Sequence, residues 1–316
     1  MLTVLPVVIP IFLIIAVGYV CAKTRLISAT AISEMGRYVM YVALPAVIVK
    51  TILSLELAQI FNLRYLLAYL AASVGLITLG FIVATKVAKQ PNLDSAVMMT
   101  GFVVPNSAFI GYPIIIQLMD APPINGFAMA LIVENMFVMP LCFILMDYHS
   151  SAAQTNLIAK ALAVGKRVVR NPLLIAIVVG VVGNIVGLKL PSVVETTLGL
   201  LAPSAVSVAL FVIGGSLASV VVKQTRWPPL IWTTLGKLVI HPLLALALVS
   251  WLLPNQPELG LTLTVITAVP MLSIYTIVGE IYGRQAFCAT AQLVTTFASL
   301  VTIPIIITIA HWWLGF

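Results

Sequence analysis

The chain has 316 residues, of which 62% are hydrophobic and only 8% charged, and its formal net charge is +7. A water-soluble domain carries about 25% charged residues, so this composition excludes a soluble fold. At roughly 20 residues per crossing, it fits about ten membrane helices joined by short loops, with no room for a separate soluble domain. The basic excess reads as a topology signal, because nucleic-acid binding needs a basic folded face that the sequence does not offer.

In chain order, apolar stretches fall near 3–22, 35–53, 64–85, 95–119 and 124–146. The most polar part of the chain, Asp147 to Arg170, follows. Five more stretches then occupy about 171–189, 200–221, 230–253, 260–282 and 287–313. The predicted fold is therefore all-α and polytopic, with a first five-helix repeat over 1–146, a cytoplasmic central loop over 147–170, and a second five-helix repeat over 171–316. Span 1 lacks a basic leader and a small-residue cleavage site, so it is expected to stay in the mature protein. Cys21, Cys142 and Cys288 lie in or at the ends of apolar stretches at unrelated spacings and read as packing residues.

Lys and Arg distribute unevenly over the loops. Grouping the loops after spans 1, 3, 5, 7 and 9 gathers 12 of the 16, including Lys160, Lys166, Arg167, Arg170 and Lys223, against Lys50, Arg64 and Lys189 on the other side. The richer side is assigned to the cytoplasm, which places both termini outside it.

Four proline pairs, Pro10 with Pro172, Pro45 with Pro203, Pro105 with Pro270 and Pro140 with Pro304, occur in corresponding spans at offsets between 158 and 165 residues. This points to a duplicated half. Because five helices is an odd number, the second half enters the membrane from the opposite side, and the repeats are inverted.

Two spans carry prolines within otherwise apolar sequence: Val104-Pro105-Asn106-Ser107-Ala108-Phe109-Ile110-Gly111-Tyr112-Pro113 in span 4 and Ala268-Val269-Pro270-Met271-Leu272-Ser273-Ile274-Tyr275 in span 9. A proline removes a backbone donor and clashes with the preceding turn, so each span is expected to be two half-helices that meet at bilayer depth. The second half-helices should begin near Asn106 and Met271. Their N-termini each present unpaired N–H groups and about half a positive charge, an arrangement suited to a carboxylate. Asn106, Ser107, Ser273 and Tyr275 would add neutral donors and acceptors, and Gly111 would allow close backbone approach.

Ionisable groups at membrane depth are costly and need a reason. Glu134, followed by Asn135, is placed near the centre of span 5, and Lys237 and His241 lie one turn apart in span 8. Glu134 reads either as a coupling or gating carboxylate partnered by Lys237 or His241, or as part of a buried structural pair. Glu280 and Arg284 are expected to form an exposed i,i+4 pair. No metal-ligand spacing, phosphate-binding glycine loop or hydrolytic set is found, so neither an enzyme, a cofactor protein nor a nucleotide-driven pump is indicated.

The Pro105–Pro113 segment resembles the fourth-helix signature of the auxin efflux carrier family, and the stretch from Pro270 through Gly279-Glu280-Ile281-Tyr282-Gly283 to Pro304 is similar to that family's ninth and tenth helices. The resemblance implies two inverted five-helix repeats with crossing broken helices 4 and 9. Spans 1, 2, 6 and 7 would form a scaffold that pairs into a homodimer in the lipid bilayer, and spans 3–5 and 8–10 a transport domain that slides past it in an elevator-like motion. It also implies that an organic carboxylate binds at the crossing, with Pro105, Asn106, Ser107, Gly111, Pro113, Pro270, Met271, Ser273 and Tyr275 around it and Leu44 of the scaffold facing it. Met271 stands where a polar residue is common. The wording around it is similar to the bacterial malonate-carrier branch, which implies a small dicarboxylate such as malonate and a bacterial inner membrane. A sodium-coupled symporter of the bile-acid-carrier type and an anion channel are the alternatives.

Overall fold

A computed structural model describes residues 5–56, 61–87, 89–150, 165–166, 169–218 and 226–315. Among them the chain is helical, and its one bridge-type pairing joins Pro105 to Met271. The helices are α1 (Leu5–Lys23), α2 (Ala29–Ser54), α3 (Leu63–Val87), α4 (Asn92–Val103), α5 (Ser107–Leu118), α6 (Ile124–His149), α7 (Pro172–Ile185), α8 (Ser192–Ala218), α9 (Trp227–Leu252), α10 (Pro257–Ala268), α11 (Ile274–Ile281) and α12 (Gln285–Leu314).

Seven of these, α1, α2, α3, α6, α8, α9 and α12, are long and apolar enough to cross a membrane. Helices α5 and α7 are shorter and apolar. The expected interruptions of spans 4 and 9 appear as the gaps between α4 and α5 and between α10 and α11. The second half-helix of span 9 starts at Ile274, three residues later than the sequence suggested. The seventh apolar stretch is longer than expected, because α8 starts at Ser192 and passes Pro203 with only a local turn. Helix starts are fixed by polar caps. Ser28 accepts from Ala31 at the start of α2, Asn62 from Tyr65 at α3, and Asn171 from Leu173 and Leu174 at α7.

Most prolines inside these helices bend the hydrogen-bond ladder instead of breaking it. Each of Pro45, Pro113, Pro140 and Pro242 follows a π-helical turn, over Val39–Ala43, Ser107–Gly111, Glu134–Val138 and Gly236–Ile240. A proline cannot donate to the residue four back and its ring crowds that carbonyl, and the wider turn relieves both problems. Pro113 therefore does not interrupt α5. The residues before Pro105 and Pro270 behave differently: Val104 has ψ 94° and Val269 has ψ 154°, so the chain leaves the helix there.

Helices α1 and α8 pack along each other, and α7 packs along α2, while α3, α9, α10 and α12 pack among themselves with α4, α6 and α11. The α1–α8 contact is backbone to backbone. Gly18 faces the Phe211 carbonyl and Gly214 faces the Ile15 carbonyl, and a Cβ at either glycine would overlap the opposing chain. Small residues that admit such approach are the usual basis of helix association in lipid, where burial of apolar surface supplies no driving force. The outward faces stay apolar, as at Leu13, Val17, Val178 and Val182, all more than half exposed.

The expected Glu280–Arg284 pair does not form. Arg284 instead pairs with Asp94, joining the start of α12 to the first turn of α4, and Glu280 accepts from Gln285. The three cysteines are free thiols, with Cys142 and Cys288 buried.

Candidate functional site

The two interruptions lie against each other. The amide of Asn106 donates to the Pro270 carbonyl at 2.8 Å, and the amide of Leu272 donates to the Val104 carbonyl at 3.2 Å. Backbone groups that leave the helical ladder thus find partners in the opposite break, which buried polar groups require. The short antiparallel pairing of Pro105 with Met271 holds the starts of α5 and α11 side by side.

The π turn that opens α5 leaves donors free. The Asn106 carbonyl accepts from both Ile110 and Gly111, and the amides of Ser107, Ala108 and Phe109 have no backbone acceptor among the described residues. All three residues line a cavity of about 50 Å³, together with Pro105, Glu134 and Leu272. This is the positive end of a helix facing an enclosed space. Asn106 is buried beside it, its side chain caps nothing, and its Oδ1 has no hydrogen-bond partner.

Glu134 Oε1 accepts from Ser107 Oγ at 2.5 Å and from Tyr69 Oη at 2.8 Å. The expectation that Lys237 or His241 partners it directly is not met. Lys237 is fully buried, and its Nζ donates to the Thr267 carbonyl at 2.6 Å, with His241 Nδ1 at 3.5 Å. Thr267 lies in the last turn of α10, so the ammonium serves the negative end of the half-helix that stops at the second break. His241 is also fully buried.

Asn135 binds in two directions. Its Nδ2 donates to the Leu131 carbonyl within α6, and its Oδ1 accepts from Asn171 Nδ2 at 2.8 Å. The span 9 side contributes less polar surface than expected. Ser273 Oγ accepts from Gln292 Nε2, and Tyr275 donates to the Val97 carbonyl at 2.9 Å, so both hydroxyls tie α11 to its neighbours. Gly111 is not needed for close approach, because a Cβ there would meet Ile266 at an ordinary 3.7 Å. Pro113 follows the π turn of α5, and Met271 is the residue paired with Pro105. Leu44 is buried within α2, and the α2 residue on the cavity wall is Met40, one turn earlier.

Tyr69 and Gln292 were not anticipated. Tyr65 and Tyr69 are fully buried at i,i+4 spacing on one face of α3, a pattern that could have marked Tyr69. Gln292, which also accepts from Thr276, had no comparable signal. Among the described residues no group of three His, Cys, Asp or Glu could hold a metal ion.

The sequence family Mem_trans, described as membrane transport protein, matches residues 3–307. No curated protein matches the chain. With nearly the whole length covered, the chain belongs to the auxin efflux carrier family of membrane transporters.

Proposed function

We propose that the protein is a secondary transporter that carries a small organic anion, with a dicarboxylate such as malonate favoured, at the pairing of its two interrupted spans. The observation that carries this reading is the coincidence of the free amides of Ser107, Ala108 and Phe109 with a buried cavity at the Pro105–Met271 pairing. A carboxylate takes up such donors readily at a helix start. In this proposal the chain crosses a bacterial inner membrane ten times as two inverted repeats, with both termini outside the cytoplasm. The α1–α8 and α2–α7 group is a homodimeric scaffold, and the remaining helices form the transport domain that moves past it. The packing of those two groups supports this division.

Glu134 shares the cavity with the amides. A bound anion and an ionised carboxylate would repel each other there, so cargo binding is expected to accompany a proton on Glu134. In proteoliposomes, malonate uptake should rise as the pH falls, and Glu134→Gln should flatten that dependence. An identical pH profile in the variant would restrict Glu134 to a structural role.

The Lys237 ammonium already serves the carbonyl end of α10, where a coupled cation would otherwise be attracted. Replacing sodium by choline is therefore expected to leave uptake unchanged. A loss of uptake would favour the sodium symporter, and flux that fails to saturate would favour a channel. A melting-point screen of the purified protein against mono- and dicarboxylates tests the substrate class, because a ligand of the folded state raises the melting point by mass action.

A further inference from the structure

A second and larger cavity, of about 630 Å³, lies between α2 and α7 on one side and α6 and α11 on the other, with Lys166 and Arg170 on its wall. It shares four lining residues, Met40, Met139, Asn135 and Asn171, with the 50 Å³ cavity at the breaks. The smaller cavity has room for only a few waters, at roughly 10–15 Å³ each. Cargo reaching the amides of α5 from the larger cleft has to pass this shared wall.

The wall holds a directed amide pair. Asn171 Oδ1 accepts from Leu173 and Leu174, so its Nδ2 is left to face Asn135. Asn135 commits its own Nδ2 to Leu131, so its Oδ1 faces Asn171. Both orientations are thereby fixed by independent bonds. The pair joins α6 to the start of α7, which are the moving and stationary groups of the proposed transporter.

We propose that the Asn135–Asn171 hydrogen bond is a latch that closes the anion pocket from the Lys166–Arg170 cleft and must open for cargo to pass. The inference rests on the transport reading above for the identity of the cargo, but the latch itself does not depend on which anion is carried. Lys166 and Arg170 raise the local concentration of anions in the cleft outside it.

The test places a cysteine on the inner cavity, Ala108→Cys, and follows its labelling in purified protein by an anionic methanethiosulfonate, read by mass spectrometry of the residue 108 peptide. Asn171→Ser keeps a side-chain oxygen to cap α7 but is too short to reach Asn135, and Asn135→Ser removes the acceptor. Each is expected to speed labelling about threefold to tenfold, the range for loss of one hydrogen bond that favours the closed state. The double variant should label no faster than either single one, because both remove the same bond. Asn171→Ala, which also removes the cap, should label faster with a lowered melting point, whereas Asn171→Ser should keep the melting point. Unchanged rates in both serine variants, or rates that multiply in the double, would overturn the latch. Because no cargo is present, faster labelling in a protein that fails to take up malonate would overturn only the substrate assignment.

Discussion

Asn106→Ala is expected to eliminate measurable malonate uptake at low concentration while leaving the protein folded. The Asn106 side chain caps no helix, its Oδ1 is buried without a partner, and in the chain it falls between Pro105 and Ser107, both of which line the cavity. Truncating it therefore removes no helix cap and no hydrogen bond to Oδ1. Removing an orphaned polar atom is close to neutral for stability, in contrast to removing one half of a satisfied pair. In the proposed complex the Asn106 Nδ2 would donate to the carboxylate, and loss of a hydrogen bond to a charged group weakens binding by about 1.5–3 kcal/mol, or roughly tenfold to a hundredfold in affinity. Radiolabelled uptake together with a melting curve checks both halves of the statement. Unchanged uptake removes Asn106 from the site, and a collapsed melting point assigns it to the fold.

The positions of both breaks were legible in the sequence, but the reason they break was only partly so. Val104 and Val269 are β-branched residues before proline, which disfavours the helix on two counts. Ile9 and Ile303 stand in the same relation to Pro10 and Pro304, yet α1 and α12 run through them. Local preference therefore does not decide. The backbone groups freed at Pro105 and Pro270 find partners in one another, and that long-range pairing cannot be read from either segment alone.

The charged residues show the same limit. Glu134 and Lys237 stood out as costly groups at depth, but the partner of Lys237 is the Thr267 carbonyl, and a backbone acceptor leaves no mark in a sequence pattern. Tyr69 and Asn171 complete the surroundings of Glu134 and Asn135 from other helices. Part of the basic-residue argument for orientation, on Lys160, Arg167 and Lys223, lies outside the described residues.

Gly214→Ala should be the most damaging of the conservative changes for stability, although it lies outside the cavity wall. The added methyl would overlap the Ile15 carbonyl and crowd the Tyr19 amide, both of them backbone atoms of α1. A flexible side chain could swing aside, but here two helix backbones must separate along their whole contact. Overpacking of this kind costs about 1–3 kcal/mol, and separation also forfeits the dispersion contacts that hold helices together in lipid. The melting point in detergent should drop clearly for Gly214→Ala and for Gly18→Ala, which meets the Phe211 carbonyl. Gly111→Ala is the control, because its methyl would sit 3.7 Å from Ile266 in ordinary contact. If α1 and α8 belong to a stationary scaffold, a Gly214→Ala protein that remains folded at low temperature should still bind malonate at the breaks, because the Pro105–Met271 pairing that sets the start of α5 lies outside the α1–α8 contact, although both helices also pack on α5. Loss of binding in step with loss of stability would instead show that the pocket is shaped by the α1–α8 contact.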